Sequence, residues 1–144
     1  MKDLSIGCWT SILLGFSYIF YCAYGFETNP SKKFYNKLFV RHTFMTHFIA
    51  TLGIFSYGYF RCSNGHYEET FYFAPFLFLI ALLFFNWLTK IATDRNILIS
   101  TKWDLKLPQY KWYIDGLFSF LIVFIPIISC VYAQNKFRFG EFFR

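Results

Sequence analysis

Four polar side chains stand inside otherwise apolar stretches of this chain: His42, His47, Asn86 and Asp115. Imidazoles, an amide and a carboxylate are groups that could relay protons, bind a metal or haem, or tie helices together. If their segments are helical, the four fall toward one side. At about 1.5 Å per residue, His47 lies ~9 Å past Arg41, and Asn86 and Asp115 lie ~6 Å from Lys90 and Lys111. His42 and His47 are separated by roughly 140° around a helix, too far apart to hold one ion easily. A proton path would need further acids or histidines at the other depth, and the spans supply none there. The spacing therefore favours a structural cluster of His47, Asn86 and Asp115. A buried carboxylate demands a partner, and His47 or a cation from another chain is expected to supply it.

Known catalytic patterns do not add to this cluster. The chain lacks H-E-x-x-H, G-x-S-x-G, a phosphate-binding loop and C-x-x-C-H. Its cysteines, Cys8, Cys22, Cys62 and Cys130, form no C-x-x-C pair and read as buried small residues. No catalytic, cofactor-binding or metal-ligating residue is assigned, and the chain is expected to be no enzyme on its own.

The elements that must position the cluster are set by hydropathy. Hydrophobic residues make up 56% of the 144 and charged residues 15%, well below the ~25% of soluble domains. Four apolar stretches of about twenty residues each match the ~30 Å of a bilayer core. The expected fold is all-α: a single transmembrane domain, residues 1–144, with four spans in a small bundle. The spans cover about 6–26, 42–60, 70–89 and 113–133, with connections 27–41, 61–69 and 90–112 and a tail 134–144. Residues 6–20 resemble the core of a signal peptide. Only Lys2 precedes them as a cation and no small-x-small site follows, so a retained span is expected.

Nine of the fourteen Lys and Arg fall in connections 27–41 and 90–112, which places those on the matrix or cytoplasmic side. Trp103, Lys106, Lys111 and Trp112 suit the headgroup layer, where a short surface helix could lie. The tail alternates rings with charges and suits a headgroup anchor or a partner contact. The +6 net charge is spread over loops, and nucleic-acid binding is not expected.

Two spans carry small faces. Cys8, Ser11 and Gly15 in the first, and Gly116 and Ser119 in the fourth, allow close packing, and the two faces are expected to meet. Pro126 should bend the fourth. The third span is ringed by aromatics, of which Phe73, Phe76, Phe84 and Trp87 are expected to contact a partner subunit or lipid.

The stretches Phe71-Tyr72-Phe73-Ala74-Pro75-Phe76-Leu77-Phe78 and 118–128, within a chain rich in Phe, Tyr, Ile, Asn and Lys, resemble in composition mitochondrially encoded membrane subunits of protist respiratory-chain complexes. That resemblance implies an accessory subunit of the inner membrane, in a respiratory complex or an ATP synthase. Such a subunit would pack against core subunits and bound phospholipid, with no cofactor or small-molecule substrate of its own. The chain also resembles immunity proteins for pore-forming bacteriocins, small basic helical proteins of bacterial inner membranes. A small transporter or electron-carrier component is a third expectation.

Overall fold

The computed structural model describes residues 6–101, 103–105 and 107–139. Among them there is no strand, and four long helices form the body. Helix α1 covers Ile6–Ala23 and α2 covers Arg41–Ser63. A 3₁₀ segment, Tyr67–Phe73, runs directly into α3, Ala74–Thr93. A π-helical turn, Trp112–Gly116, opens α4, Leu117–Arg138. Pro75 sits in the first turn of α3, where a missing N–H costs nothing. Pro126 lies inside α4 without ending it.

Three of these runs are long and apolar enough to cross a membrane: Ile6–Ala23, Tyr67–Thr93 and Trp112–Arg138. The expected fourth, α2, is not among them. At 23 residues it has the length, but His42, Thr43, Thr46, His47, Thr51, Ser56 and Arg61 lower its hydropathy.

The four helices alternate in direction, as short contacts at each end show. At one end Gly7 of α1 lies against Glu69, Arg61 closes α2 on the same Glu69, and Phe137 of α4 packs on Phe73 and Tyr59. At the other end the two long connections meet. Lys33 pairs with Asp104, and the Leu105 N–H donates to the Thr28 carbonyl. Both cation-rich connections thus share one end of the bundle.

Helix α3 is the hub, flanked by α1, α2 and α4. Phe73, Phe78, Leu79, Leu82 and Phe85 are buried in the common core with Ile19, Ile122 and Cys130. This differs from the expectation that Phe73 faces a partner. A twenty-residue helix ringed by large side chains removes more apolar surface at the centre of a bundle than at its edge. Phe76 is half-buried against Phe48 and Phe55, while Phe84 and Trp87 are exposed.

The small face of α1 is buried as expected, with Cys8, Ser11 and Gly15 all inside, but it does not close on α4. A Cβ on Gly15 would stand 2.8 Å from the Phe71 carbonyl oxygen and 3.2 Å from the Ala74 Cβ. Gly58 of α2 plays the same part from the other side, 2.6 Å from the Tyr72 Cβ. The 67–74 corner is clamped between two glycines. The Phe73 ring also lies over Gly58, 3.2 Å from where its Cβ would stand, so only a residue without a side chain fits at that point. The Thr10 and Tyr72 hydroxyls, 2.9 Å apart, fasten α1 to the same corner.

Candidate functional site

The polar cluster is built around a segment that is not a helix. Helix α3 ends at Asp94, whose left-handed φ of 55° turns the chain sharply back; aspartate tolerates that region better than most residues. Residues 96–100 then run without regular secondary structure against the core, and Ile97, Leu98 and Ile99 are buried. No short surface helix forms among the described residues of the third connection. Burial of three consecutive apolar side chains drags their backbone amides out of water, where each needs an acceptor.

Three side chains from three different elements supply them. The Ile97 N–H donates to Asn86 Oδ1 of α3 at 2.9 Å, and the Leu98 N–H donates to Asp115 Oδ1 at 3.1 Å. The Ile99 N–H donates to the Tyr35 hydroxyl at 3.0 Å, and that hydroxyl donates onward to the Pro30 carbonyl at 3.0 Å. Asn86 also donates to the Asn96 side chain at 3.2 Å.

Asp115 is fully buried, and its carboxylate takes four hydrogen bonds. Arg95 grips it with both prongs, Nη1 at 3.0 Å and Nη2 at 2.5 Å. The Lys111 N–H donates to it at 2.8 Å, so the side chain also caps the π turn that carries it. Standing in the π turn that leads into α4, the carboxylate lies at the positive end of the helix dipole. Arg95 is itself held by the Gln109 and Asn96 carbonyls. Ser119, one turn on, donates to the Asp115 carbonyl and reaches the Leu98 carbonyl at 3.5 Å.

Neither expected partner of Asp115, His47 or a cation of another chain, takes it. Arg95 of the same chain takes it, while His47 turns to α1. The His47 Nδ1 lies 3.0 Å from the Tyr18 hydroxyl, and its ring sits against Phe34 at 5.2 Å. His47 ties α1 to α2, Asn86 and Asp115 tie α3 and α4 to the third connection, and His42 stays exposed. Gly116, half-buried, lies near the Tyr110 hydroxyl rather than α1.

Trp103 and Trp112 project from the cation-rich end, 78% and 76% exposed, and Lys111 is exposed beside them. Lys106 lies outside the described residues.

Two buried ion pairs were not foreseen. Lys33, only 2% exposed, meets Asp104 at 2.5 Å, and Asp104 also accepts from the Thr101 N–H. Burial alone would raise the Asp104 carboxyl, but Lys33 and the Thr101 amide hold it below the usual carboxylate range. Burial pushes the Tyr35 phenol up, only partly offset by the Ile99 amide. At the opposite end Glu69, 1% exposed, receives two bonds from Arg61, 2.9 Å and 2.7 Å. A hint existed in the sequence: Arg61 and Glu69 bracket the tight turn Ser63-Asn64-Gly65, which brings them together.

Among the described residues no group of three or more His, Cys, Asp or Glu is poised to hold a metal, and one buried side-chain polar atom, Thr70 Oγ1, has no hydrogen-bond partner. Elsewhere the buried polar groups bond backbone or one another. No family model matches the chain, and no curated protein or solved structure shows significant similarity to it.

Proposed function

We propose that this chain is a non-catalytic subunit of a large membrane assembly, spanning the bilayer four times and packing against neighbouring subunits and lipid. The carrying observation is how its side chains are divided. Asn86, Asp115, Tyr35, Glu69 and Lys33 face inward and are consumed in holding backbone or a counter-charge. Outward, α3 presents Ile80, Leu83, Phe84, Trp87 and Ile91 at helical spacing, and α4 presents Leu117, Phe120, Phe124, Ile128 and Val131. A water-exposed protein would not sustain two such stripes.

Helix α2 is proposed as the fourth span because it reaches between the same two ends as its neighbours. Its Tyr18–His47 contact turns a polar group toward α1 rather than lipid. The cation-rich end is assigned to the matrix or cytoplasmic side, where lysines meet anionic headgroups and Trp103 and Trp112 anchor. Compositional resemblance makes a respiratory-chain complex or ATP synthase of a mitochondrial inner membrane the proposed assembly. The immunity-protein reading, in which this chain would bind a toxin's pore-forming helices within the membrane, is the second reading, and the exposed stripe of α3 with Phe84 and Trp87 would serve it as well.

The test is gentle solubilisation of the native membrane followed by native electrophoresis and detection of this chain. Comigration with a large complex is expected. Migration only as a free monomer or small homo-oligomer would overturn the proposal.

A further inference from the structure

The end of α1 carries a groove that changes character along its length. Between α1 and α4 lies a cleft of about 660 Å³ lined by Phe16, Phe20, Tyr24, Val123, Phe124 and Ile127, with Thr101 of the third connection also on its wall. From Phe16 to Tyr24 it runs ~12 Å along the helix axis. Around Phe20 and Tyr24 it borders a second hollow of about 390 Å³, where Ser17, Tyr21 and Phe26 join the wall. Tyr21, Gly25 and Phe26 border in turn a third, smaller hollow of about 180 Å³ that ends among Lys32, Lys33 and Lys37.

The charges at that end are not equivalent. Lys33 is committed to Asp104. Lys32 and Lys37 are exposed and have no carboxylate partner among the described residues; Lys37 instead leans over the Phe34 ring at 5.9 Å. Glu27 stands on the same rim and accepts from the Asn29 N–H. Two cations against one carboxylate leave a single positive charge, at the level where the chain leaves the bilayer.

We propose that this groove binds one anionic phospholipid, with an acyl chain in the α1–α4 cleft and its phosphodiester between Lys32 and Lys37. An apolar channel opening onto lysines at the basic face is the form such sites take. One net charge matches one phosphodiester, and Glu27 disfavours headgroups with additional phosphates. The inference rests on the membrane address and not on membership of a larger complex.

The experiment uses the purified full-length chain in mild detergent, titrated with dioleoylphosphatidylglycerol or dioleoylphosphatidylcholine and read by native mass spectrometry and thermal unfolding. One tightly retained phosphatidylglycerol per chain is expected, with a raised unfolding midpoint and weaker retention of phosphatidylcholine. Replacing both Lys32→Gln and Lys37→Gln should weaken phosphatidylglycerol binding by about thirtyfold, roughly fivefold for each lysine. Glu27→Gln should strengthen it. Ser17→Trp, on the exposed wall of the second hollow, should block the passage from the lysines to the α1–α4 cleft while leaving the lysines and the helical circular dichroism intact. Equal retention of the two lipids, unchanged binding in the double variant, or the same stabilisation by inorganic phosphate would overturn the proposal. So would a lipid-free dimer, which would show a second copy in the groove.

Discussion

Arg95 and Asp115 form a two-pronged ion pair between a loop and the π turn that leads into α4, at 3.0 and 2.5 Å, with the carboxylate fully buried. The pair does not join one helix to another. It holds the residue that turns away from α3 against the residue that starts α4, and Ile97, Leu98 and Ile99 between them are buried.

Removing one member should therefore cost more than a surface pair would. Asp115→Ala deletes four hydrogen bonds and strands the Arg95 guanidinium and the Leu98 amide; a loss of about 3–5 kcal/mol is expected. Asp115→Asn, which keeps an acceptor for Leu98, should lose less. Thermal unfolding in mild detergent, compared with His47→Ala, ranks them, and His47→Ala should be the mildest because the Tyr18 contact is half-buried.

Tyr35→Phe removes one oxygen and leaves the Ile99 amide without its acceptor. A destabilisation of about 1–3 kcal/mol is expected for that orphaned donor. Hydrogen exchange gives a sharper readout. The Ile97, Leu98 and Ile99 amides should exchange slowly in the parent, and Ile99 should be the first to accelerate in the variant.

The glycine clamp makes a paired prediction. Gly15→Val places a branched side chain against the Phe71 carbonyl and Ala74, where backbone must yield, and a loss above about 3 kcal/mol is expected. Gly53, on the same helix as Gly58, has open space around it, so Gly53→Ala should be neutral or stabilise by up to about 1 kcal/mol. Equal effects at the two positions would contradict the packing described.

Acid should loosen the junction of the two long connections. The folded Asp104 carboxyl is held below its unfolded value, so its contribution is complete above that value, about pH 4, and fades as pH falls through the lower folded value. Stability measured from pH 7 to pH 2 should drop over that range, and Asp104→Asn should flatten this part of the profile. At neutral pH the same variant should be less stable, because Lys33 stays buried without a counter-charge.

The helices were legible because hydropathy sets them. The stretches read as 6–26, 42–60, 70–89 and 113–133 correspond to α1, α2, the 67–93 run and the 112–138 run, displaced by a few residues at their ends. The demand of Asp115 for a cation was legible too, since a buried carboxylate must be matched. Its partner was not. Arg95 sits in a loop, where a cation ordinarily serves topology, and only the left-handed turn at Asp94 swings it inward. The buried segment had a faint signal, the apolar triplet Ile97-Leu98-Ile99 within a polar connection. Pattern alone does not distinguish a surface helix from an irregular segment buried against a bundle. The Phe-rich third span divides, with Phe73 in the core and Phe84 and Trp87 outward, a split composition does not show because large rings suit a core, a lipid face and a partner equally.

The segment 96–100 also imposes an order of events. Its three amides depend on Tyr35, which enters before α2; on Asn86, near the end of α3; and on Asp115, which arrives with α4. Until α4 packs, the Leu98 amide lacks its Asp115 acceptor and Arg95 its counter-ion, and the segment gains nothing by leaving water. The connection is therefore expected to stay open while the first three helices form and to shut only with the fourth. A membrane quality-control protease reading that loop would distinguish a finished chain from one still missing α4.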